Sequence, residues 1–447
     1  MVASETVPAQ PREDRRFLRR ITFTTAWGQG LDGYDLGIIS VVLIPLSAEL
    51  DISPMAMGLI GAAALVGIFI GGPVFGYLTD RFGRRKLFNI DILLFLVAGI
   101  AQGLVGEGWQ LVIVRLVLGM AIGAEYSIGA PMLAEFSPAR GRGRRLSMLE
   151  VCWFSGFLAS VLVGYALLEL GVGWRLILVT SAVPALVTLV LRHGMPESPR
   201  WLIAKGRTDE ARAIVDRYMG GEAYFAAEQF ADESQRSGTG IRALFSRELR
   251  GRTIFVCVFW ACQVAPYFAI FTFAPQVLSS LDLTNETAGT IATNGLAALG
   301  AVVGMLVIER IGRRRMLVIP FWIQAAALFV VGFWAGAPTW VIIAAFVFYA
   351  FFNALSSNLE AVYPAELFPT SVRTTGVGVA TAASRIGAAI GTWLLPVGLD
   401  TIGVGPCMVI GGLVCVLGAI VSQVMAPETT GKSLTDSART AASRTRA

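Results

Sequence analysis

The 447 residues include one histidine, five cysteines and three lysines, and charged residues of all kinds make up only 15%. Each shortage excludes something. The lone His193 closes an apolar segment, so no histidine-based proton relay, catalytic triad or histidine metal cluster can be assembled. Cys152, Cys257, Cys262, Cys407 and Cys415 all fall inside apolar segments without metal-ligand spacing, and are expected as reduced thiols. No Gly-x-x-x-x-Gly-Lys-Ser/Thr loop is present, which argues against direct ATP drive. Without a nucleophile–base or metal set, an enzyme is the least favoured reading. An ordinary soluble domain is about 25% charged. This chain is 55% hydrophobic with a mean hydropathy of +0.66, too apolar for a soluble enzyme or a disordered segment. The net charge of +5 raises the possibility of a nucleic-acid partner, which the placement of the bases decides.

What is abundant is long apolar runs. They lie near 21–47, 54–78, 87–105, 109–134, 146–169, 174–193, 253–280, 287–308, 316–335, 338–363, 374–399 and 404–426. Each is about 20 residues, enough to cross roughly 30 Å of hydrocarbon as helix. Lipid cannot satisfy open backbone groups, so twelve helices and an all-α integral membrane fold are expected. Of the 36 Lys and Arg, 33 fall in the N-terminus, in alternate loops, in the segment from Arg192 to Arg252 and in the tail. The opposite loops carry Glu49, Asp51, Glu107, Glu169, Asp282, Glu286 and Asp400, with Arg175 as their base. By the positive-inside rule the basic side is cytoplasmic and both termini are inside, in a plasma membrane that the arginine-rich composition marks as a bacterial inner membrane. Bases sorted by membrane side remove the nucleic-acid reading. The first span is too long and too acidic for a cleavable signal sequence.

The chain repeats itself. Asp80-Arg81-Phe-Gly83-Arg84-Arg85 returns as Glu309-Arg310-Ile-Gly312-Arg313-Arg314; Ala134-Glu135…Pro138…Arg142 returns as Ala365-Glu366…Pro369…Arg373; and Pro196-Glu197 returns as Pro427-Glu428. The expected organisation is a cytoplasmic N-terminus at 1–20, a six-helix bundle at 21–195, cytoplasmic linker helices at 196–251, a second six-helix bundle at 252–427 and a disordered cytoplasmic tail at 428–447. Parallel halves around a central site are a plan of secondary transporters.

These motifs carry a resemblance. Gly76-x-x-x-Asp80-Arg81-x-Gly83-Arg84-Arg85 resembles the loop 2–3 signature of the major facilitator superfamily. Pro196-Glu197-Ser-Pro-Arg200, Pro427-Glu-Thr, Arg115 and Gly173-Trp-Arg175 resemble the sugar porter family. The resemblance implies a cytoplasmic gate that latches the outward-facing state, made of Asp80, Arg81, Gly83, Arg84, Glu135, Arg142, Glu197, Arg200, Glu309, Arg310, Arg313, Glu366 and Arg373. The other reading is that these arginines only set topology. Asp91 and Glu150, near the cytoplasmic ends of their spans, are expected to join this network.

Charges inside spans are informative, because each costs at least about 2.5–3.5 kcal/mol at the bilayer centre. Gly33-Tyr34-Asp35 resembles the Gly-Tyr-Asp of proton-coupled sugar porters, where the aspartate takes the proton and an arginine of span 4 faces it; Arg115 matches that arginine. A nearby guanidinium favours the ionised carboxyl and burial disfavours it, so a distance that changes on rocking couples protonation to orientation. A static buried pair is the alternative. Asp32 lies one helical turn from Asp35 and makes an Asp-Gly-x-Asp similar to that of aromatic acid:proton symporters. It is read as a second proton group or as a solvated vestibule residue. Glu125, in Gly-Ala-Glu-Tyr, resembles an acid of proton-coupled phosphate porters and is read as a further proton group or as a partner of Arg115.

The sugar site is where the porter pattern fails. Where sugar porters place amides and a tryptophan, this chain has Phe157, Cys262, Phe268, Ala297, Ser356 and Ser384, and only Gln263 survives. Asn294, Asn353, Asn358 and Gln324 are the other amides in the spans of this half, apart from Gln276 toward the end of the first of them and Gln423 near the end of the last. Ser384-Arg385-Ile-Gly387 resembles the Arg-x-Gly of aromatic acid symporters and organic anion transporters, whose arginine faces the central cavity. Arg385 either attracts an anionic substrate or neutralises Glu360. The candidate substrate set is Arg385, Gln263, Phe157, Tyr267, Phe268, Asn353, Asn358 and Glu360. The expected activity is proton-coupled symport of a small organic carboxylate, with a sugar or polyol as the alternative substrate and a non-transporting sensor as a third reading. The expected partners are the solute, protons and the lipid bilayer, with no cofactor or metal, and the chain acting as a monomer.

Overall fold

The computed structural model describes residues 12–51, 54–138, 141–219, 241–272, 286–334 and 337–432. The tail expected to be disordered falls outside them beyond 432. The described residues are helical with short connections. The membrane helices of the first half are α1 (Arg12–Leu50), α2 (Pro54–Phe82), α3 (Arg84–Ala101), α4 (Gly108–Phe136), α5 (Arg142–Glu169) and the pair α6 (Trp174–Val179) and α7 (Ala182–Arg192). Three short helices follow among the described residues, α8 (Pro199–Ala204), α9 (Thr208–Tyr218) and α10 (Ile241–Leu244). The second half holds α11 (Arg250–Thr272), α12 (Glu286–Ile311), α13 (Arg313–Phe333), α14 (Thr339–Leu367), α15 (Arg373–Thr401) and α16 (Val404–Met425).

Among the described residues, nine spans are long and apolar enough to cross a membrane by composition alone. The other three, α1, α3 and α15, carry Asp32 and Asp35, Asp91, and Arg385. Leu176, Val190, Ile254, Leu306, Ile319 and Val424 point outward, as helices bathed in hydrocarbon require. α1 starts earlier than its apolar run because its first turns are amphipathic. Leu18 and Ile21 are buried while Arg16, Arg19 and Arg20 stay exposed, and Phe17 packs on Tyr218 of α9 at 4.3 Å. Span 6 breaks at Thr180–Ser181, where Pro184 has no N–H to return to the carbonyl of Thr180.

The halves meet along α2 with α15 and α5 with α12, equivalent pairs under the repeat. At Gly72 and Gly378 the backbones close to a distance only glycine permits. A Cβ on Gly378 would stand 2.1 Å from the Gly72 carbonyl, and one on Gly72 would stand 2.7 Å from that of Gly378.

Candidate translocation site and gate

Asp35 and Arg115 are both fully buried and face each other at 3.7 Å, longer than a hydrogen bond. Gln102 of the α3–α4 connection bridges them. Its amide donates to Asp35 Oδ1 at 3.2 Å, and its oxygen accepts from Arg115 Nη1 at 3.1 Å. Arg115 Nε donates to the Ile60 carbonyl at 3.2 Å. The sequence reading missed Gln102, since a lone amide at a span end carries no motif.

Glu125 lies elsewhere than beside Arg115. Its partner is Arg192, whose Nη2 meets Glu125 Oε2 and whose Nη1 meets Asp91 Oδ1 at 2.9 Å. Arg192 also donates to the Phe88 carbonyl at 2.7 Å and lies 3.5 Å over the Phe88 ring. Two expectations are thereby corrected. Arg192 is a buried intramembrane base rather than a loop arginine, and Asp91 belongs to this cluster rather than to the cytoplasmic network. The signal was available in its position, since the helix ends at Arg192 itself and the apolar run reaches past it. Asp32, on the neighbouring turn of α1, accepts from Gln29 at 3.3 Å.

Between the halves Arg385 is 2% exposed and lies over two rings, Tyr126 of α4 at 5.1 Å and Phe268 of α11 at 5.2 Å. No hydrogen-bond acceptor among the described residues reaches its Nε or Nη1. Glu360 and Glu150 lie within electrostatic reach of Arg385, so Glu150 too belongs at the centre and not at the cytoplasmic face. Neither makes an ion pair with Arg385 among the described residues. Trp153 gathers Phe154, Phe157, Tyr267 and Phe268 at 5.0–6.5 Å, an aromatic wall beside the guanidinium. Gln263 donates to the Asn353 carbonyl and to Ser356 at 2.8 Å, and Asn353 donates to Gln324 at 3.0 Å, so the N–H groups of these amides are spent within the protein, while Gln263 Oε1 meets no donor among the described residues. Asn358 is set apart from this group, because it donates to the carbonyls of Ala301, Ala354 and Leu355 in the packing of α14 on α12.

The cytoplasmic motifs assemble twice, each time with a partner from the opposite half. Asp80 accepts from the backbone N–H and the hydroxyl of Thr375 at the start of α15, at 2.8 and 2.6 Å. Glu309 accepts from the Arg144 N–H at the start of α5, at 3.2 Å. Glu135 takes Arg84 at 3.3 Å and Arg373 at 2.7 Å. Glu366 takes Arg313 at 3.5 Å and Arg142 at 4.0 Å. Glu197 accepts the N–H groups of Arg84 and Arg85 beside Gly83, whose φ of +106° places it in the region glycine favours. Glu428 does the same for Arg313 and Arg314. Arg200 is buried and faces Glu135. Arg81 lies over Phe82 at 5.4 Å and Arg310 is exposed, so the structure leaves these two at the rim.

Twelve membrane helices in two similar halves, closed on one face by exchanged charges and holding charged groups at the centre, define a major facilitator transporter. The chain belongs to the Sugar (and other) transporter family, whose model matches residues 21–440. It is therefore a multi-pass membrane transporter of a sugar or other metabolite rather than an enzyme. YaaU of Escherichia coli K12 is 38% identical over 433 residues, 96% of each chain. YgcS of the same strain, an inner membrane metabolite transport protein, is 36% identical over 93% of this chain and 92% of its own. The niacin transporter NiaP of Acinetobacter baylyi is 27% identical over 82% of this chain and 84% of its own. Among solved structures, the proton:xylose symporter XylE bound to 6-bromo-6-deoxy-D-glucose is 24% identical with a TM-score of 0.83, covering 96% of this chain and 99% of XylE. Against XylE from E. coli in a partially occluded inward-open form the TM-score is 0.75, and against the inward-open form it is 0.70; both are 25% identical, cover 93% and 95% of this chain respectively, and 99% of XylE.

Proposed function

We propose that this protein is a proton-coupled symporter of a small organic carboxylate, working by alternating access with its basic face and both termini in the cytoplasm. The observation that carries the reading is Arg385, a buried guanidinium whose Nε and Nη1 meet no acceptor among the described residues and which lies over two aromatic rings. An arginine fork takes a carboxylate through paired hydrogen bonds, and an aromatic wall suits an aromatic acid. Niacin, the cargo in the name of one relative, is such an acid. Asp35 is the proton site, Arg115 and Gln102 set its charge preference, and Asp32 stands one turn behind it. The closed charge lattice corresponds to the latch of the outward-facing state, in keeping with the lower similarity to inward-open XylE.

A sugar or polyol substrate is the second reading, favoured by the family and by XylE. The amides a sugar would need are few here, and the N–H groups of Gln263 and Asn353 are spent within the protein. The driving force separates the two. A monoanion moving with one proton is electroneutral, whereas a neutral sugar with one proton gains about 2.3 kcal/mol per 100 mV, roughly 50-fold accumulation. In vesicles with a pH gradient, collapsing the potential should leave carboxylate uptake unchanged. A sharp fall would refute one-proton monoanion symport. A thermal-shift screen of purified protein against carboxylates and sugars identifies the solute class directly.

A further inference from the structure

A second group of buried acids lies apart from Asp35. Asp32 of α1, Asp91 of α3 and Glu125 of α4 converge on Arg192 of α7, and all four are at most 4% exposed. Three carboxyls against one guanidinium do not balance, and the group is neutral only with two protons bound. Arg192 spends its two terminal nitrogens on Asp91 Oδ1, Glu125 Oε2 and the Phe88 carbonyl. No donor among the described residues reaches Asp91 Oδ2, Glu125 Oε1 or Asp32 Oδ1. Asp91 and Glu125 thus sit side by side on the two terminal nitrogens of one guanidinium. Two buried carboxyls on one guanidinium leave a negative charge uncompensated, which a bound proton would remove.

Among the described residues no cation other than Arg192 pairs with these acids. α1 contributes Asp32, Gln29 and, one turn on, Asp35; α3 contributes Asp91; α4 contributes Glu125 and Tyr126; and α7 contributes Arg192. No group of acids, histidines and cysteines with metal-holding geometry occurs among the described residues. Gly28 lets α1 come this close, since a Cβ there would stand 2.3 Å from Glu125 Oε1 and 2.6 Å from Arg192 Nη2. Arg192 ends its helix, and the next residue, exposed His193, offers its carbonyl to Arg20 at 2.5 Å. The cluster thus lies between Asp35 and the basic face.

We propose that Asp91 and Glu125, held by Arg192, form a proton-binding site separate from the Asp35–Arg115 pair, and that Asp32 passes protons between the two. The inference rests on the symport reading. In each step an O–H bond breaks on one carboxyl and forms on the next, one negative charge moves the opposite way, and both arginines stay protonated. The group connects to the substrate site through the next residue of α4. Tyr126 lies under Arg385 and edge-on to Trp260 of the second half at 6.2 Å, so movement of Arg385 bears on the helix that carries Glu125.

The test uses the full-length purified protein in nanodiscs, with no substrate. Infrared difference spectra across pH, in H2O and D2O, report the C=O stretch of protonated carboxyls. The wild type should keep a protonated-carboxyl band at pH 7. That band should persist in Asp35→Asn and lose intensity in the Asp91→Asn/Glu125→Gln double variant, where the buried acids elsewhere, Glu150 and Glu360 among them, are untouched, with thermal unfolding checking the fold of each. A wild type without the band at pH 7, or a double variant whose band is as intense as that of the wild type, overturns the site. In proteoliposomes the double variant and Asp32→Asn should each lose at least about tenfold in pH-driven accumulation, and unchanged accumulation overturns the relay. Wild-type protein with the band and no proton flux overturns the relay and the symport reading together while leaving the binding site in place, so the two failures can be told apart.

Discussion

Arg385 of α15 lies over the ring of Tyr126 of α4, 5.1 Å from its centroid, so a buried base of the second half rests on the first half. An anion bound to that guanidinium would be held between the halves. Arg385→Ala should weaken carboxylate binding by about 1.5–3 kcal/mol, roughly ten- to 150-fold, while changing affinity for neutral ligands little. Isothermal titration with matched carboxylates and amides checks this, and equal losses for both would rule out charge recognition. Arg385→Lys should recover only part, because a point charge does not reproduce the fork.

Asp35→Asn should abolish gradient-driven accumulation, measured as the steady-state internal to external ratio in vesicles with an imposed pH gradient. Gln102→Leu should shift the pH dependence of uptake rather than abolish it, because Gln102 bridges Asp35 to Arg115 without carrying charge.

Closure of the basic face depends on glycine where α2 meets α15. Gly378→Ala places a methyl 2.1 Å from the Gly72 carbonyl and should push the pair apart. Labelling of cysteines introduced on the cytoplasmic ends of α2 and α15 should rise in the variant, and transport should fall. Labelling unchanged from wild type would mean that the contact is not needed for closure.

Docking of the segment after α16 should depend on pH. Burial pushes the Glu428 carboxyl up, and hydrogen bonds from Thr430 and from the N–H groups of Arg313 and Arg314 outweigh it, holding it below the usual carboxylate range. A carboxyl lowered in the docked state favours docking above the ordinary glutamate pKa of about 4.3 and loses that contribution as pH falls through the lowered value. Hydrogen exchange at 427–432 should therefore be slow at neutral pH and rise only in strong acid, and Glu428→Gln should raise it at neutral pH.

Much of this architecture is legible in the sequence because membrane folding leaves few choices. The apolar runs dictate helices, and repeated Asp/Glu–Arg spacings mark the gate on which Glu135 and Glu366 lie. Pairing inside the membrane is less legible, since it depends on which faces of packed helices meet. Glu125 finds Arg192 from a helix whose last residue reads as a loop base. Glu150 turns inward to the Arg385 region although its position along α5 is near the cytoplasmic end. Asn358 shows the converse, an amide in a central span that serves helix packing.

The exchanged charges at the basic face have a mechanical consequence. Glu135 holds one arginine of its own half and one of the other, and Glu366 does the same. The door therefore has two bolts, each with a part on either leaf. Removing one bolt would leave the door loosely shut, and removing both would leave it swinging, so paired lesions should be far more severe than the two single lesions together.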